Sequence, residues 1–271
     1  MASVPLKAVD GSVLVLQLTD SHLFAEASGK LLGLDTGDSL QRVIDLALAE
    51  QPGVDLLLAS GDLSQDGSVA SYERFKALTS VIPAVARWYP GNHDDRDNMI
   101  RVARGSDLMN PVIDIGNWRI VMLDSLVPGS VAGHLADGQL ELLDEAIASA
   151  AGRHVLVSFH HHPVSIGSQW MDRIGLRNAD ALFSVLDRYP QVRAVLWGHI
   201  HQAFDGMRNG VRLLASPSTG IQFMPRSHSF ELDSSGPGYR WLRLAADGTL
   251  TTGISRVEGL TFTVEDGATG Y

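Results

Sequence analysis

The sequence contains no cysteine among its 271 residues. This absence excludes disulfides and thiolate ligands, so any metal site in the protein must use imidazole, carboxylate, amide or water ligands. Ligands of this kind suit hard or borderline divalent metals. The missing residue type therefore limits the kind of metal site without excluding metals.

Positive charge and long apolar segments are also scarce. The formal net charge is -10, which argues against the large positive surface that nucleic-acid binding requires. No uninterrupted apolar run reaches the length of a membrane span, and residues 1–10 lack a basic start followed by an apolar core. We therefore expect a cytoplasmic protein that binds neither nucleic acid nor membranes, whereas the oligomeric state stays open.

The composition that remains is typical of a globular α/β protein. Hydrophobic residues make up 45% and charged residues 19%, and no repeat or linker divides residues 1–271, so we expect a single domain. Short apolar runs alternate with segments of helical period. The predicted strands are 13–18, 54–59, 84–89, 118–123, 155–159, 194–197 and 211–215. The predicted helices are one capped by Asp38 or Ser39, then 69–78 and 140–148, and one from Asn178 to residue 188.

Residues 239–254 predict a C-terminal β-hairpin. The dipeptide Asp247-Gly248 is a strong hairpin-turn signal, and apolar residues flank it on both sides. We expect this hairpin segment to cover about residues 239–256.

Polar clusters follow the predicted strands directly. In α/β sheets, ligands bind at the carboxyl ends of the strands, so these loops are expected to meet at one edge. The clusters are Asp20-Ser21-His22, Gly61-Asp62, Gly91-Asn92-His93-Asp94, His160-His161-His162 and Gly198-His199-Ile200-His201.

Seven nitrogen and oxygen donors in these clusters exceed the four that one tetrahedral zinc needs. Two metals are therefore predicted, about 3.5–4 Å apart and bridged by a carboxylate, a pair that clamps a phosphoryl group. Asp62 is our candidate for the bridge. The predicted metal ligands are Asp20, His22, Asp62, Asn92, His160, His199 and His201.

Three local interpretations accompany this prediction. Donors two residues apart, as in the Asp-x-His and His-x-His pairs, are expected on one face of extended chain. The glycines before Asp62, Asn92 and His199 are expected to allow sharp turns and close backbone approach. Within the histidine run we choose His160 as the ligand, with His161 as the alternative and His162 as a supporting or solvated residue.

In this order, the Asp-x-His, Gly-Asp, Gly-Asn-His-Asp, His and Gly-His-x-His motifs resemble those of the calcineurin-like metallophosphoesterases. The resemblance spans residues 20–201 and implies a four-layer αββα sandwich with a dinuclear iron, manganese, zinc or similar centre at its edge. Residues 18–24, 176–179 and 198–202 and the C-terminal third are similar to the bacterial class III 3′,5′-cyclic-AMP phosphodiesterases.

This resemblance implies a reaction, namely hydrolysis of 3′,5′-cyclic AMP to 5′-AMP by attack of a metal-bridging hydroxide. The cofactors would be two divalent ions, Fe²⁺ or Mn²⁺ first and Zn²⁺ as an alternative. His93 would donate a proton to the leaving 3′ oxygen and Asp94 would orient the ring of His93, so both are predicted catalytic residues. The predicted substrate-binding residues are His22, Asp62, Asn92, His93 and His201.

The resemblance divides the ligands between the two ions. The first ion would be held by Asp20, His22, Asp62 and His201, and the second by Asp62, Asn92, His160 and His199.

Two other functions stay open at this point. One is hydrolysis of another small ester, such as a phosphomonoester, a 2′,3′-cyclic nucleotide or a nucleotide diphosphate. The other is a non-catalytic protein-binding scaffold of the same fold, whose sign would be missing ligands, and none is missing.

Our candidates for adenine specificity are residues 176–179 and 217–223.

Overall fold

The computed structural model describes residues 11–264, and the interpretation of residues 1–10 lies outside this range. The helices are α1 (Thr36–Glu50), α2 (Val69–Thr79), α3 (Arg96–Ala103), α4 (Asp137–Ala148) and α5 (Ala179–Leu186). The strands are β1 (Val13–Leu18), β2 (Lys30–Leu31), β3 (Leu34–Asp35), β4 (Leu56–Ser60), β5 (Val85–Tyr89), β6 (Val112–Ile115), β7 (Trp118–Met122), β8 (His154–Ser158), β9 (Val192–Trp197), β10 (Phe204–Arg208), β11 (Val211–Ala215), β12 (Gln222–Phe223), β13 (Leu232–Asp233), β14 (Gly238–Leu244) and β15 (Leu250–Arg256).

Two main sheets contain most of these strands. The first has the order β15-β14-β1-β4-β5 and the second the order β10-β11-β9-β8-β7-β6. Strands β1, β4 and β5 are parallel, and so are β7, β8, β9 and β11. Parallel strands of one sheet end at the same edge, so the loops after β1, β4 and β5 lie together, and so do those after β8 and β9.

The two sheets pack face to face and helices cover their outer faces, which confirms the predicted four-layer αββα sandwich. Helices α1, α2 and α3 share a buried apolar cluster with the first sheet, and α4 and α5 share another with the second. A third cluster lies between the sheets and includes side chains of both. None of the described helices is long and apolar enough to span a bilayer.

Strand β1 is buried on both faces, and all but one of its six residues are apolar. Val13 and Val15 belong to the cluster between the sheets, whereas Leu14 and Leu16 belong to the cluster beneath the helices. Successive side chains of a strand point to opposite faces, so a strand buried on both faces is apolar at nearly every position. The buried polar residue of β1, Gln17, donates a hydrogen bond to the hydroxyl of Ser60 at 2.7 Å.

The start of α1 differs from the prediction. Asp35 caps the helix, because its side chain accepts a hydrogen bond of 2.9 Å from the amide of Asp38. Ser39 lies within the helix, and its hydroxyl donates to the carbonyl of Thr219 at 2.6 Å. The prediction of Asp38 or Ser39 as the cap was wrong because the apolar period begins at Leu40, a full turn after the helix itself begins.

Three elements of the four-layer sandwich were not predicted, namely α3, β6 and β10. Helix α3 has eight residues, of which Met99 and Ala103 are buried, too few to show a helical period. Strands β6 and β10 lie at sheet edges and are only partly buried. Helix α5 begins after Asn178 as predicted, but the side chain of Asn178 bonds to the backbone of Leu135 and does not cap the helix.

The predicted C-terminal hairpin is confirmed. Strands β14 and β15 pair antiparallel, and β14 continues the first sheet by pairing with β1. Gly248 in the turn has a φ of +88°, a value that favours glycine.

Candidate metal centre

Five loops meet at one edge of the sandwich, and they follow β1, β4, β5, β8 and β9 as predicted. Backbone hydrogen bonds join them, for example from the Asp20 amide to the Gly61 carbonyl at 3.0 Å and from the Gly198 amide to the His160 carbonyl at 3.1 Å. Ligand-type atoms lie within 4.8 Å of one another in three overlapping groups. These groups are Asp20, His22 and His201; His22, Asp62 and His93; and Asp62, His160 and His199.

The backbone at this edge is not extended, so the explanation expected for the Asp-x-His and His-x-His pairs was wrong. Five donors have a positive φ, in the left-handed region that non-glycine residues rarely adopt. Each such residue costs ~1–3 kcal/mol and persists only where its surroundings hold it. Tight turns, and not an extended face, therefore bring the paired donors together. These residues are Asp20 (54°), His22 (46°), Asp62 (50°), His199 (65°) and His201 (49°).

Two glycines allow the loops after β4 and β5 to approach each other, as predicted. A Cβ on Gly61 would lie 2.8 Å from the amide nitrogen of Gly91. A Cβ on Gly91 would lie 2.6 Å from the amide nitrogen of Asp62 and 2.7 Å from Nε2 of His160. A side chain at either position would therefore push the donors apart.

Two histidines of the first group have their tautomers fixed by acceptors. Nδ1 of His22 donates to Oε1 of Gln65 at 2.7 Å, and Nδ1 of His201 donates to the carbonyl of Ile221 at 2.8 Å. Each ring then directs the lone pair of Nε2 into the cluster, and the two Nε2 atoms are 3.2 Å apart. Two lone pairs at this distance repel each other unless a cation lies beside them.

The third group uses the same arrangement. Nδ1 of His160 donates to the carbonyl of Ser60 at 2.9 Å, and Nε2 of His199 donates to the carbonyl of Ile174 at 3.1 Å. The opposite nitrogens, Nε2 of His160 and Nδ1 of His199, are buried and form no hydrogen bond with any described residue. Histidines that bind metals typically donate their second ring N–H to such an acceptor.

Asp62 belongs to the second and third groups and also faces His22, which the first and second groups share. Its Oδ2 is 3.1 Å from Nε2 of His160 and 3.9 Å from Nε2 of His22, and it is buried without a hydrogen-bond partner among the described residues. Asp20 differs, because both of its carboxylate oxygens accept from the amide of His199 at 3.1 Å. This geometry favours Asp62 over Asp20 as a bridging carboxylate.

The charges of the cluster attract cations. Burial opposes a charge on His160, but the carboxylates of Asp62 and Asp20 outweigh burial and raise the pKa of His160 to about 9. Burial also acts against the charged form of Asp62, yet the neighbouring imidazoles hold its pKa well below the usual range. Burial lowers the pKa of His22 to about 3. The carboxylates therefore favour positive charge in the cluster, and a divalent cation can supply it once the ring nitrogens that face the cluster carry no proton.

His161, the alternative ligand in the histidine run, is engaged elsewhere. Its Nδ1 lies 2.7 Å from the hydroxyl of Ser125, and its Nε2 donates to the carbonyl of Val131 at 3.0 Å. The geometry therefore favours the first histidine of the run. The ring of His162 stacks on His199, with 5.6 Å between centroids, which is a supporting position.

Asn92 and His93 border the cluster from the loop after β5. Oδ1 of Asn92 is buried and has no hydrogen-bond partner among the described residues, so a cation can use it. The ring centroid of His93 lies 4.9 Å from that of His22. Both residues also line an adjoining cavity, so they lie between the donors and solvent.

Asp94 joins the loops after β4 and β5. Its buried carboxylate accepts from the amide of Gly91 at 2.9 Å, the amide of Ser64 at 3.0 Å and the hydroxyl of Tyr72 at 3.0 Å. Burial and the nearby charge of Asp62 raise the pKa of Asp94 to about 7. These contacts fix the loop that carries Asn92 and His93, and an orienting contact with His93 stays a prediction.

Residues 217–223, a predicted specificity segment, are buried against the centre. The hydroxyl of Ser218 donates to the carbonyl of Asp20 at 2.7 Å. The ring of Phe223 stacks on that of His201, with 4.1 Å between centroids and 10° between planes. The segment thus holds the donors in place, a role that the sequence did not suggest.

A profile of the calcineurin-like phosphoesterases matches residues 13–203. This chain belongs to the calcineurin-like phosphoesterase family. The 3′,5′-cyclic adenosine monophosphate phosphodiesterase CpdA of Pseudomonas aeruginosa is 58% identical over 264 residues, which cover 97% of each chain. CpdA of Escherichia coli K12 is 42% identical and covers 100% of this chain and 99% of its own. A crystal structure of a dimetal phosphatase from Danio rerio shares the fold, with a TM-score of 0.61, 20% identity and coverage of 93% and 99%.

Membership of the calcineurin-like phosphoesterases confirms the predicted family, fold and class of enzyme, a hydrolase of phosphate esters. Six of the seven predicted donors lie in the three groups, and the seventh, Asn92, lines the adjoining cavity with His93. The donor set fits two metal ions, because buried lone pairs and carboxylate oxygens converge there in three groups that overlap at His22 and Asp62.

Sequence reasoning missed the residues that hold the donors in place. Gln65 follows Asp62 by three positions, but nothing in that spacing indicates a contact with His22. Ser60, Ile174 and Ile221 act through backbone carbonyls, which any residue type provides. The sequence alone therefore could not predict that these residues contact the histidines.

Proposed function

We propose that this calcineurin-like phosphoesterase hydrolyses 3′,5′-cyclic AMP to 5′-AMP at a dinuclear metal centre. One observation carries the proposal: the complete donor cluster occurs in a chain that aligns almost end to end with two cyclic AMP phosphodiesterases. A cyclic phosphodiester carries one negative charge, so a cationic centre attracts it locally despite the net charge of -10.

We assign four ligands to each ion, with Asp62 shared between them. Oδ2 of Asp62 faces one histidine of each group, which supports this role. Oδ1 of Asn92 supports the second set, since it is buried beside the cluster without another partner among the described residues. The first ion takes Asp20, His22, Asp62 and His201, and the second takes Asp62, Asn92, His160 and His199.

When bound, the two cations supply charge neutralisation at the phosphoryl group and a water activated for in-line attack. The residues of the chain position the substrate and handle a proton. Asn92 and His93 contact the phosphate, and His93 donates a ring proton to the 3′ oxygen as the bond from phosphorus to that oxygen breaks. Asp94 holds the loop of both residues. His22, Asp62 and His201 border the same space and also contact the substrate.

We further propose Fe²⁺ or Mn²⁺ as the ions, with Zn²⁺ as the alternative. Imidazole and carboxylate ligands suit all three, so availability largely selects among them. A cytoplasmic location and the absence of nucleic-acid partners complete the proposal. The acidic net charge supports the absence of nucleic-acid partners. Cell fractionation tests the cytoplasmic location.

The decisive experiment uses the metal-reconstituted protein and a substrate panel. The panel contains 3′,5′-cyclic AMP, 3′,5′-cyclic GMP, 2′,3′-cyclic AMP, a simple phosphodiester and a phosphomonoester, and kcat/KM is measured for each. We expect the highest value for 3′,5′-cyclic AMP and 5′-AMP as its product. Faster turnover of 2′,3′-cyclic AMP or a phosphomonoester, or 3′-AMP as product, would show that the proposed substrate is wrong.

A further inference from the structure

A cavity of about 520 Å³ adjoins the metal centre on the side of His93. Residues 65–67, residues 92–97 and the loop containing Leu126 and Pro128 form its walls. Its volume lies within the range of small-ligand pockets. The centre therefore opens into a space large enough for the part of a substrate that does not react.

The proposed reaction determines which part of the substrate occupies this cavity. If His93 gives its proton to the 3′ oxygen, the ribose that carries this oxygen must lie beside His93. The base attached to that ribose then extends into the cavity that His93 and Asn92 line. This inference rests on the proposed function.

Arg96 crosses the wall of this cavity in a fixed position. It is the first residue of α3, and its Nε donates to the carboxylate of Asp124 at 2.5 Å while an Nη donates to the carbonyl of Leu126 at 3.0 Å. Its side chain remains 38% exposed. Two hydrogen bonds along one edge of the planar guanidinium hold its orientation and leave its faces open to a ligand.

Few other groups in the cavity can bind a base. Among the described residues that line it, none except His93 carries an aromatic ring. Asp66 is engaged with the amides of Ala25 at 2.8 Å and Ser68 at 3.0 Å, and Asp95 caps α3. The guanidinium of Arg96 is thus the planar surface that the cavity offers away from the reacting phosphate.

We propose that Arg96 binds the nucleobase of the cyclic nucleotide by stacking, with Asp124 and Leu126 holding its guanidinium in position. Arginine planes stack on bases in this way. Leu176 and Arg177, from a segment that the sequence suggested for base specificity, line a different cavity with His162. Asp124 is a positioning residue in this arrangement, because it acts only through Arg96.

The test compares Arg96→Ala and Arg96→Lys with the wild type, and uses Arg101→Ala, an exposed arginine of the same helix, as the matched control. Two substrates are used, namely 3′,5′-cyclic AMP and p-nitrophenyl methyl phosphate, a diester without a base. We expect the ratio of their kcat/KM values to fall about 5- to 100-fold in both Arg96 variants, mainly through KM for cyclic AMP. Arg101→Ala should keep the wild-type ratio and metal content.

A second measurement works even if cyclic AMP is not the substrate. The inhibition constants of 5′-AMP and ribose 5-phosphate are measured against p-nitrophenyl methyl phosphate, and their ratio reports the contribution of the base. We expect Arg96→Ala to reduce the preference for 5′-AMP by about 10-fold. An unchanged preference, or full recovery in Arg96→Lys, which keeps the charge without the plane, would overturn the stacking role. Failure of the wild type on cyclic AMP alone would overturn only the proposed function.

Discussion

Single residues of the metal centre are held in place from outside it. Each of four histidines donates one ring N–H to an acceptor and directs its other nitrogen towards the cluster. Five donors have a strained backbone with positive φ, and the surrounding hydrogen bonds offset the energy of this strain. The acceptors are Gln65 and the carbonyls of Ser60, Ile174 and Ile221.

Asp62 should matter more for metal binding than any ligand of one ion. We expect Asp62→Ala to lose most of both metals, whereas His22→Ala should keep about one ion per chain at the other group. Elemental analysis of the purified, folded variants measures this difference. Equal losses in the two variants would contradict a bridging role for Asp62.

His93 should act on the substrate and not on the metals. A general acid typically contributes ~10²–10⁴-fold, so His93→Ala should lose about that much in kcat while its metal content stays close to that of the wild type. Rates with diesters of different leaving groups give a further check, because good leaving groups need less protonation. Metal loss in parallel with activity would instead make His93 a ligand, which its distance to His22 and Asp62 permits.

At the scale of elements, the apolar pattern predicts where strands and helices lie but not where they end. Strands buried on both faces, such as β1 and β4, were predicted nearly to their bounds because all but one residue in each is apolar. Helix α3 and the edge strands β6 and β10 were missed because little of their surface is buried. Ends depend on single side chains, as the cap of α1 shows.

The corrected cap of α1 can be tested by stability. Asp35→Ala removes the side chain that accepts from the Asp38 amide, so we expect the free energy of unfolding to fall by about 1 kcal/mol. Asp38→Ala is the matched control, since it removes another carboxylate at the start of α1, one that forms an exposed ion pair with Arg42 worth about 0.3–0.5 kcal/mol. Urea unfolding measures both. A larger fall in the free energy of unfolding for Asp38→Ala would instead support Asp38 as the cap, as the sequence suggested.

For the whole molecule, the centre lies where the two sheets meet, so its ions would link both halves of the sandwich. Asp20, His22 and Asp62 follow strands of the first sheet, whereas His160 and His199 follow strands of the second. Cations bound there would draw together carboxylates and imidazoles from both sheets. Metal binding and the stability of the whole fold should therefore be coupled.

Removal of the metals should lower the melting temperature. A ligand at 1,000 times its Kd stabilises a protein by about 4 kcal/mol, so a chelator should lower Tm by roughly 10 °C. We expect one cooperative calorimetric transition with and without metal, in keeping with a single domain. In Asp62→Ala the chelator should have little effect. Two separate transitions in the loaded protein would contradict the single domain.

The sequence by itself determined the fold class and indicated the candidate donors. Buried parallel strands are apolar at nearly every position, and ligands bind in the loops after them, so short stretches of sequence indicate both. The tertiary structure alone decided the positive φ of the paired donors, the carbonyls that orient the histidines and the position of Arg96. These depend on residues distant in sequence, such as Gln65 beside His22 or Asp124 beside Arg96, and no local pattern encodes which of them will meet.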